Sequence, residues 1–306
     1  MNAIELHFGI LLLLQITIGI LVNVFLLLFY VHLGSTTHKL NSPDLILAQL
    51  SLANTIILLT FGIRETMSAW GLRKFLDDVG CIILPYLYQV SRSLAICSTC
   101  LLSIFQAITI SPSTSWWAGV KAKLPKCIIP SCVLSWILNM LMEFDIVMNL
   151  TSPQNGSDVR IILDLKYCTS VSEDTPLIIS IVHSFRDLFF VGLMTVESGY
   201  MVFVLRRHQR LFRHLHGPGH SPRAMTEVRV AKRVIALVTL YVLFYGRQSI
   251  MLSTIMNMKE NSPLLVNAHM ALGFTFSVIS PFLIIHSDRR MRAFWIRESL
   301  VFNMAS

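Results

Sequence analysis

Apolar residues run almost unbroken at seven places along this chain, at about 8–31, 43–63, 80–110, 127–147, 176–205, 230–256 and 264–286, with short polar stretches between them. A helix crossing the hydrocarbon core of a bilayer needs roughly 20 apolar residues. The pattern therefore predicts an all-α membrane protein, a seven-transmembrane helix bundle. The third and fifth runs exceed one bilayer thickness and must tilt or project from it. The longest connection is about thirty residues, too short for a soluble catalytic domain. Residues 1–306 read as a single seven-span domain, with 287–306 as a cytoplasmic tail.

Composition agrees. Hydrophobic residues make up 54% of the chain and charged ones 14%, against about 25% charged in a soluble domain. Mean hydropathy is +0.64. A single soluble globule is excluded for want of charge to cover its surface, and disorder is excluded because it needs low hydrophobicity.

Charge sets the orientation, because cytoplasmic loops carry an excess of Lys and Arg. With the N-terminus outside, the inner segments hold sixteen Lys and Arg against three acids, and the outer segments six against eleven. The net charge of +8 thus faces one side of a membrane and does not point to nucleic acid. Two N-glycosylation acceptors, Asn149-Leu-Thr and Asn155-Gly-Ser, fall in the connection this topology places outside. Asn155 is the better placed, since Asn149 adjoins the membrane. No cleavable signal peptide is expected: seven residues including Glu5 precede the first run, which then serves as its own insertion signal.

Of six cysteines, only Cys81 and Cys168 fall in outer segments, where oxidation is possible. A bridge between them would pin the long outer loop across the bundle mouth and restrict the unfolded chain, worth roughly 2–4 kcal/mol. The alternative is two free thiols. Cys97-Ser-Thr-Cys100 has redox spacing, but it lies deep in an apolar span that disfavours a thiolate, so packing is the better reading. His208, His214, His216 and His220 fit no common zinc spacing, and neither a metal nor a cofactor is expected.

Pro43, Pro176 and Pro263 open helices. Pro281 instead interrupts the seventh span, where it removes a backbone bond and kinks the helix. It is a candidate hinge, with a plain structural kink as the alternative. Beyond it, Met291, Phe294 and Trp295 share a helical face flanked by Arg289, Arg290, Arg292 and Arg297, which reads as a short interfacial helix on the anionic inner leaflet.

Ionisable groups within spans are expensive and stand as functional candidates. Arg92, Arg186, Asp187, Glu197, Arg247 and His269 qualify. Arg92, Arg186, Asp187 and Arg247 fall in the outer or middle part of the bundle. Three cations facing one acid would make an outer cavity electropositive and suited to sulfate or carboxylate. Alternatively, Arg92 or Arg186 simply pairs with Asp187 and locks helices together. With Tyr88, these residues and His269 form the candidate ligand set.

An enzyme is not expected. The last span has no lysine for a retinal Schiff base, there is no His-Glu-x-x-His for zinc hydrolysis, and no Gly-rich phosphate loop occurs. No span carries a polar stripe along its full length, as a channel or transporter would need.

Seven spans, an outer N-terminus and a basic third inner loop resemble a G-protein-coupled receptor. Asn23 after Gly19, Asn54 in Leu-Ser-Leu-Ala-Asn, Trp136 and Ser280-Pro281 are similar to rhodopsin-like landmarks. Phe105-Gln106-Ala107 stands where that large family has Asp-Arg-Tyr. A narrower likeness is more specific. The sixteen residues Cys97 to Pro112, Cys-Ser-Thr-Cys-Leu-Leu-Ser-Ile-Phe-Gln-Ala-Ile-Thr-Ile-Ser-Pro, resemble the helix-three signature of vomeronasal type-1 receptors. Lys166-Tyr-Cys168, the run from Arg186 to Met194, Ser198 to Val202, His214-Leu-His216, Ser221-Pro-Arg223 and Ser280 to Ile285 are similar to the same family. Departures are Met225-Thr226 before Glu227, Ser277 where a second proline is common, and Glu197 where the family is neutral.

The resemblance implies a chemosensory receptor for small pheromone-like ligands, volatile or steroid-type, coupled to a heterotrimeric G protein of the inhibitory class. It also implies a multi-pass protein of the plasma membrane of sensory neurons. Gln106, Lys121, Lys123, Arg206, Arg207 and Arg210 would lie at the G-protein face, although attraction to lipid headgroups explains several of them equally well. The three outer-half arginines favour anionic steroid conjugates. A bitter-taste-type receptor and, in another class, a membrane transporter or channel are the alternatives.

Overall fold

The computed structural model describes residues 3–37, 42–70, 78–111, 115–144, 147, 150–151, 169–170, 175–215, 232, 234–244, 272–288 and 290–291. They are almost wholly helical. Helix α1 is Ala3–Thr37 and α2 is Ser42–Ile57, which continues through a π turn, Leu58–Gly62, into α3, Ile63–Ala69. Helix α4 is Asp78–Ile110, α5 Ser115–Met142 and α6 Thr175–Leu215. The sixth and seventh expected spans are described in part, as α7, Val234–Phe244, and α8, Thr275–Ser287. A two-residue antiparallel pairing, β1 (Leu150–Thr151) with β2 (Thr169–Ser170), joins the ends of the loop between α5 and α6.

Five of these helices, counting α2 with its π turn as one, are long and apolar enough to cross a membrane. Their surfaces are what lipid requires: Leu141, Phe185 and Val196 are 68%, 73% and 71% exposed. Water would penalise such faces, whereas hydrocarbon does not. The buried faces combine an apolar core, including Leu26, Leu50, Leu94 and Phe274, with polar side chains such as Asn23, Gln49 and Asn54. Helix α4 sits centrally, packed against α2, α5 and α6, while α1 lies against α2 and α8.

Because lipid removes the hydrophobic drive between helices, polar side chains and small residues hold them together. Gln49 donates through Nε2 to the hydroxyls of Ser98 and Ser135, both at 3.1 Å, tying α2 to α4 and α5. Asn54 Nδ2 donates to Ser280 Oγ at 3.0 Å, tying α2 to α8. Gly19 and Gly62 let helices approach closely, for a Cβ on either would lie 2.8 Å from Leu58 or Ile16 respectively.

Pro281 shows how a proline is accommodated inside the bundle. It is buried within α8 and cannot donate to the carbonyl four residues back, that of Ser277. Asn23 of α1 supplies the missing donor, its Nδ2 reaching Ser277 O at 2.9 Å and Gly19 O at 2.8 Å. A neighbouring helix thus satisfies the orphaned group.

Near the chain end, Arg290 donates to both carboxylate oxygens of Asp44, from Nη1 at 2.9 Å and Nη2 at 2.6 Å, and also to Asp288. These carboxylates, Asp44 first, push its already high pKa further up. The stretch from 292 onward, which holds most of the expected interfacial helix, lies outside the described residues.

Candidate functional site

The ionisable residues of the third and fifth spans meet in the core. Arg92 on α4 pairs with Asp187 on α6, Nη2 to Oδ2 at 2.7 Å. Arg186 donates to the other oxygen of Asp187 through Nε, at 3.1 Å, and on its far side to Glu143. Ser93 donates to that same Glu143 oxygen at 2.7 Å. Sequence reading offered Arg92 or Arg186 as the partner of Asp187; both pair with it.

Glu143 is the site residue that the sequence candidates leave out. It falls near the outer end of the fourth apolar run, and its side chain is 0% exposed. It stands one residue past α5, its N–H still bonded to Asn139 O. The negative end of a helix repels a carboxylate, so the position holds only because Arg186 and Ser93 face it. A signal was available: Ser135, Asn139 and Glu143 recur at four-residue spacing, a buried polar stripe on one face of α5. The consequence changes the electrostatics. Among the described residues the guanidinium groups of Arg92 and Arg186 face the carboxylates of Asp187 and Glu143.

A small cavity of about 40 Å³ opens beside this network, its described walls being Ile57, Tyr88, Arg92, Ala95, Tyr241, Phe244, Gly273, Phe276 and Ser277. Tyr241 and Phe276 meet edge to face with centroids 5.1 Å apart. Tyr88 stacks on Phe61 at 4.7 Å, and Arg64 lies over both rings, 5.1 Å from Phe61 and 5.9 Å from Tyr88. Arg64, one residue past the second apolar run, is buried too. The arrangement is an aromatic chamber with one guanidinium on its wall, a pattern suited to binding small organic molecules. Its volume is far below the roughly 300–1,000 Å³ of a ligand site, so occupancy requires the helices to part.

Of the candidate ligand set, Tyr88 and Arg92 line the cavity, and Arg186 and Asp187 lie behind it. Arg247 and His269 are outside the described residues, as are Asn149, Asn155 and Cys168. Cys81 is disulfide-bonded. Cys97, Cys100, Cys127 and Cys132 are free thiols, and Cys97 Sγ accepts from Asn139 Nδ2 at 3.5 Å, a packing role.

At the other end of α4, Gln106 is only 4% exposed, so it faces the core. Lys121 donates to Ser111 O at 2.6 Å, capping the terminus of α4, where a cation is favoured. Ser111 Oγ in turn meets Tyr200 OH of α6 at 2.9 Å. Lys123, Arg206 and Arg207 are exposed. For Arg210 the description extends only to its place on α6.

Apolar outer faces, amide links between helices and a buried ion network around an aromatic cavity define a multi-pass helical membrane protein. The profile of the vomeronasal organ pheromone receptor family matches residues 6–297. Vomeronasal type-1 receptor 3 of Homo sapiens is 38% identical over 92% of this chain and 91% of its own length. Olfactory receptor class A-like protein 1 of Danio rerio is 34% identical over 93% and 90%. Vomeronasal type-1 receptor 4 of Homo sapiens is 34% identical over 90% and 92%. The chain belongs to the vomeronasal organ pheromone receptor family.

Proposed function

We propose that this chain is a non-enzymatic chemosensory receptor of the plasma membrane of sensory neurons. It detects small pheromone-like ligands, volatile or steroid-type, and activates a heterotrimeric G protein of the inhibitory class. Its N-terminus is outside, Asn155 with Asn149 as the alternative carries the sugar, and Cys81 bridges Cys168. The observation that carries the reading is the aromatic cavity walled by Arg92, whose partner Asp187 belongs to another helix.

A ligand acts by favouring one of two bundle packings. Filling the chamber must push apart walls contributed by α2, α4, α7 and α8. Movement of Arg92 then passes to α6 through Asp187, and α6 runs on to the exposed Arg206 and Arg207, the expected G-protein face with Lys123. Pro281 lies on α8, where a hinge would let the inner end swing.

A cyclic-AMP reporter in cells expressing the receptor with an inhibitory-class G protein tests the function. Small organic ligands should lower the signal, and a toxin that uncouples that G-protein class should abolish the response. Epitope tags at Met1 and Ser306 should be reachable from opposite sides of intact cells. Tags on the same side would overturn the topology and with it the receptor mechanism.

A further inference from the structure

We infer that Ser111 is the hub of a latch holding the inner ends of α4, α5 and α6 together, and that activation opens it by drawing Tyr200 away. The inference rests on the receptor reading, including its topology, and names the contact that a shift of α6 must break.

Ser111 stands one residue past α4 and is 2% exposed. Its hydroxyl donates to Ala107 O at 2.8 Å and lies 2.9 Å from the Tyr200 hydroxyl. A serine hydroxyl has one proton to donate. With that proton on the Ala107 carbonyl, the second contact must run from Tyr200 OH to Ser111 Oγ. The carbonyl of the same residue accepts from Lys121 Nζ of α5 at 2.6 Å. One buried serine at the end of α4 thus holds a phenol from α6 and an ammonium from α5, both on half-buried side chains.

Polar contacts join α4 to α6 at two levels among the described residues, and they differ in kind. Arg92 and Asp187 form an ion pair whose carboxylate is 2% exposed, which is costly to separate. Tyr200 and Ser111 share a neutral hydrogen bond, which a half-buried phenol near the inner surface exchanges for one to water at small cost. The outer pair therefore moves as one piece when the chamber fills, and the inner contact yields. Asp187 and Tyr200 lie about 20 Å apart along α6, at about 1.5 Å per residue. Tilting α6 by about 5° around the outer pair carries Tyr200 about 2 Å, which takes the contact out of hydrogen-bonding reach. Val204, one turn beyond Tyr200 on the same face of α6, is 6% exposed, and the same motion uncovers it.

The test uses the full chain in nanodiscs carrying Cys127→Ser, which removes an exposed free thiol, and Val204→Cys as reporter. A polar maleimide, its site of attachment located by mass spectrometry, reads exposure at position 204. Nucleotide exchange on an added inhibitory-class G protein reads coupling. Tyr200→Phe deletes only the hydroxyl and should speed labelling about three- to tenfold, the change in open population expected when one neutral hydrogen bond is lost. Ser111→Ala should do the same, the double variant should add nothing, and basal nucleotide exchange should rise with the labelling. Ala107→Cys, on the face of α4 that carries Ser111 and 8% exposed, is the second reporter should Val204→Cys fail to fold. Labelling unchanged or slowed by Tyr200→Phe overturns the latch, as do additive effects of Tyr200→Phe and Ser111→Ala. Equal acceleration at the buried Cys97, Cys100 and Cys132 also overturns it, because the whole bundle has then loosened. Faster labelling with unchanged nucleotide exchange supports the latch and defeats the G-protein reading.

Discussion

Arg290 clasps Asp44 through two parallel hydrogen bonds, 2.9 and 2.6 Å long, between residues 246 positions apart in the chain. Asp44 is almost fully buried, while the arginine side chain is 41% exposed. The clasp fastens the start of α2 to the segment that follows the last span.

Solvent screening at Arg290 limits the worth of this pair to about 1 kcal/mol. Arg290→Ala should lower the melting temperature by about 2–4 °C, more than Arg290→Lys does, since lysine keeps the charge but loses the bidentate fork. The swap Asp44→Arg with Arg290→Asp should fall short of full recovery, because Asp288 also faces Arg290. Detergent-phase melting curves of the four proteins decide it.

The buried pair behaves differently. Arg186→Ala leaves the Glu143 carboxylate in the core and should cost about 3–5 kcal/mol, seen as loss of folded receptor at the cell surface. Arg186→Met combined with Glu143→Gln removes both charges and should recover much of that loss. A double-mutant cycle with no coupling between the two sites would contradict the geometry.

Asn23→Leu removes the donor that satisfies the Ser277 carbonyl left open by Pro281. The expected cost is about 1–3 kcal/mol. In the Pro281→Ala background, where α8 can bond that carbonyl itself, the cost of Asn23→Leu should shrink. Thermal melts of the two single variants and the double variant measure it.

Two glycines should respond oppositely to alanine. At Gly19 a Cβ would sit 2.8 Å from Leu58 and 3.0 Å from Val278, so Gly19→Ala overpacks a helix junction at about 1–3 kcal/mol. At Gly199 nothing lies within 4 Å, and Gly199→Ala should stabilise α6 by roughly 0.5–1 kcal/mol. The sign of the melting shift separates the two.

Cys81→Ser should destabilise the receptor by about 2–4 kcal/mol. If Cys168 is its partner, Cys168→Ser has the same effect and the double substitution adds nothing. Reductant should lower the unmodified receptor's melting temperature and leave that of the double variant unmoved.

The five long spans were legible because length and apolarity are properties of a window, and they need no knowledge of neighbours. So was the meeting of Arg92, Arg186 and Asp187, since charges inside spans must find each other. Glu143 and Arg64 were not, because both stand near the ends of apolar runs, where a hydropathy window does not tell whether a side chain turns to the core. Which side of a helix end faces the core depends on partners from other spans: Arg186 for Glu143, and Phe61 and Tyr88 for Arg64. Gln106 shows the same limit, because its place along α4 was readable and its rotation around α4, which buries it, was not.

The π turn at Leu58–Gly62 bears on that question of rotation. A wide turn holds one residue more than an α turn, and each residue of an α-helix advances the azimuth by about 100°. Everything beyond it on the second span is therefore phased differently from a regular continuation of α2. Shortening this stretch by one residue would let it relax to ordinary pitch and swing Arg64 off the Phe61 and Tyr88 rings, redrawing one wall of the chamber without touching any residue in it. Among relatives, a one-residue length difference at this turn would therefore alter the chamber more than many substitutions along its lining.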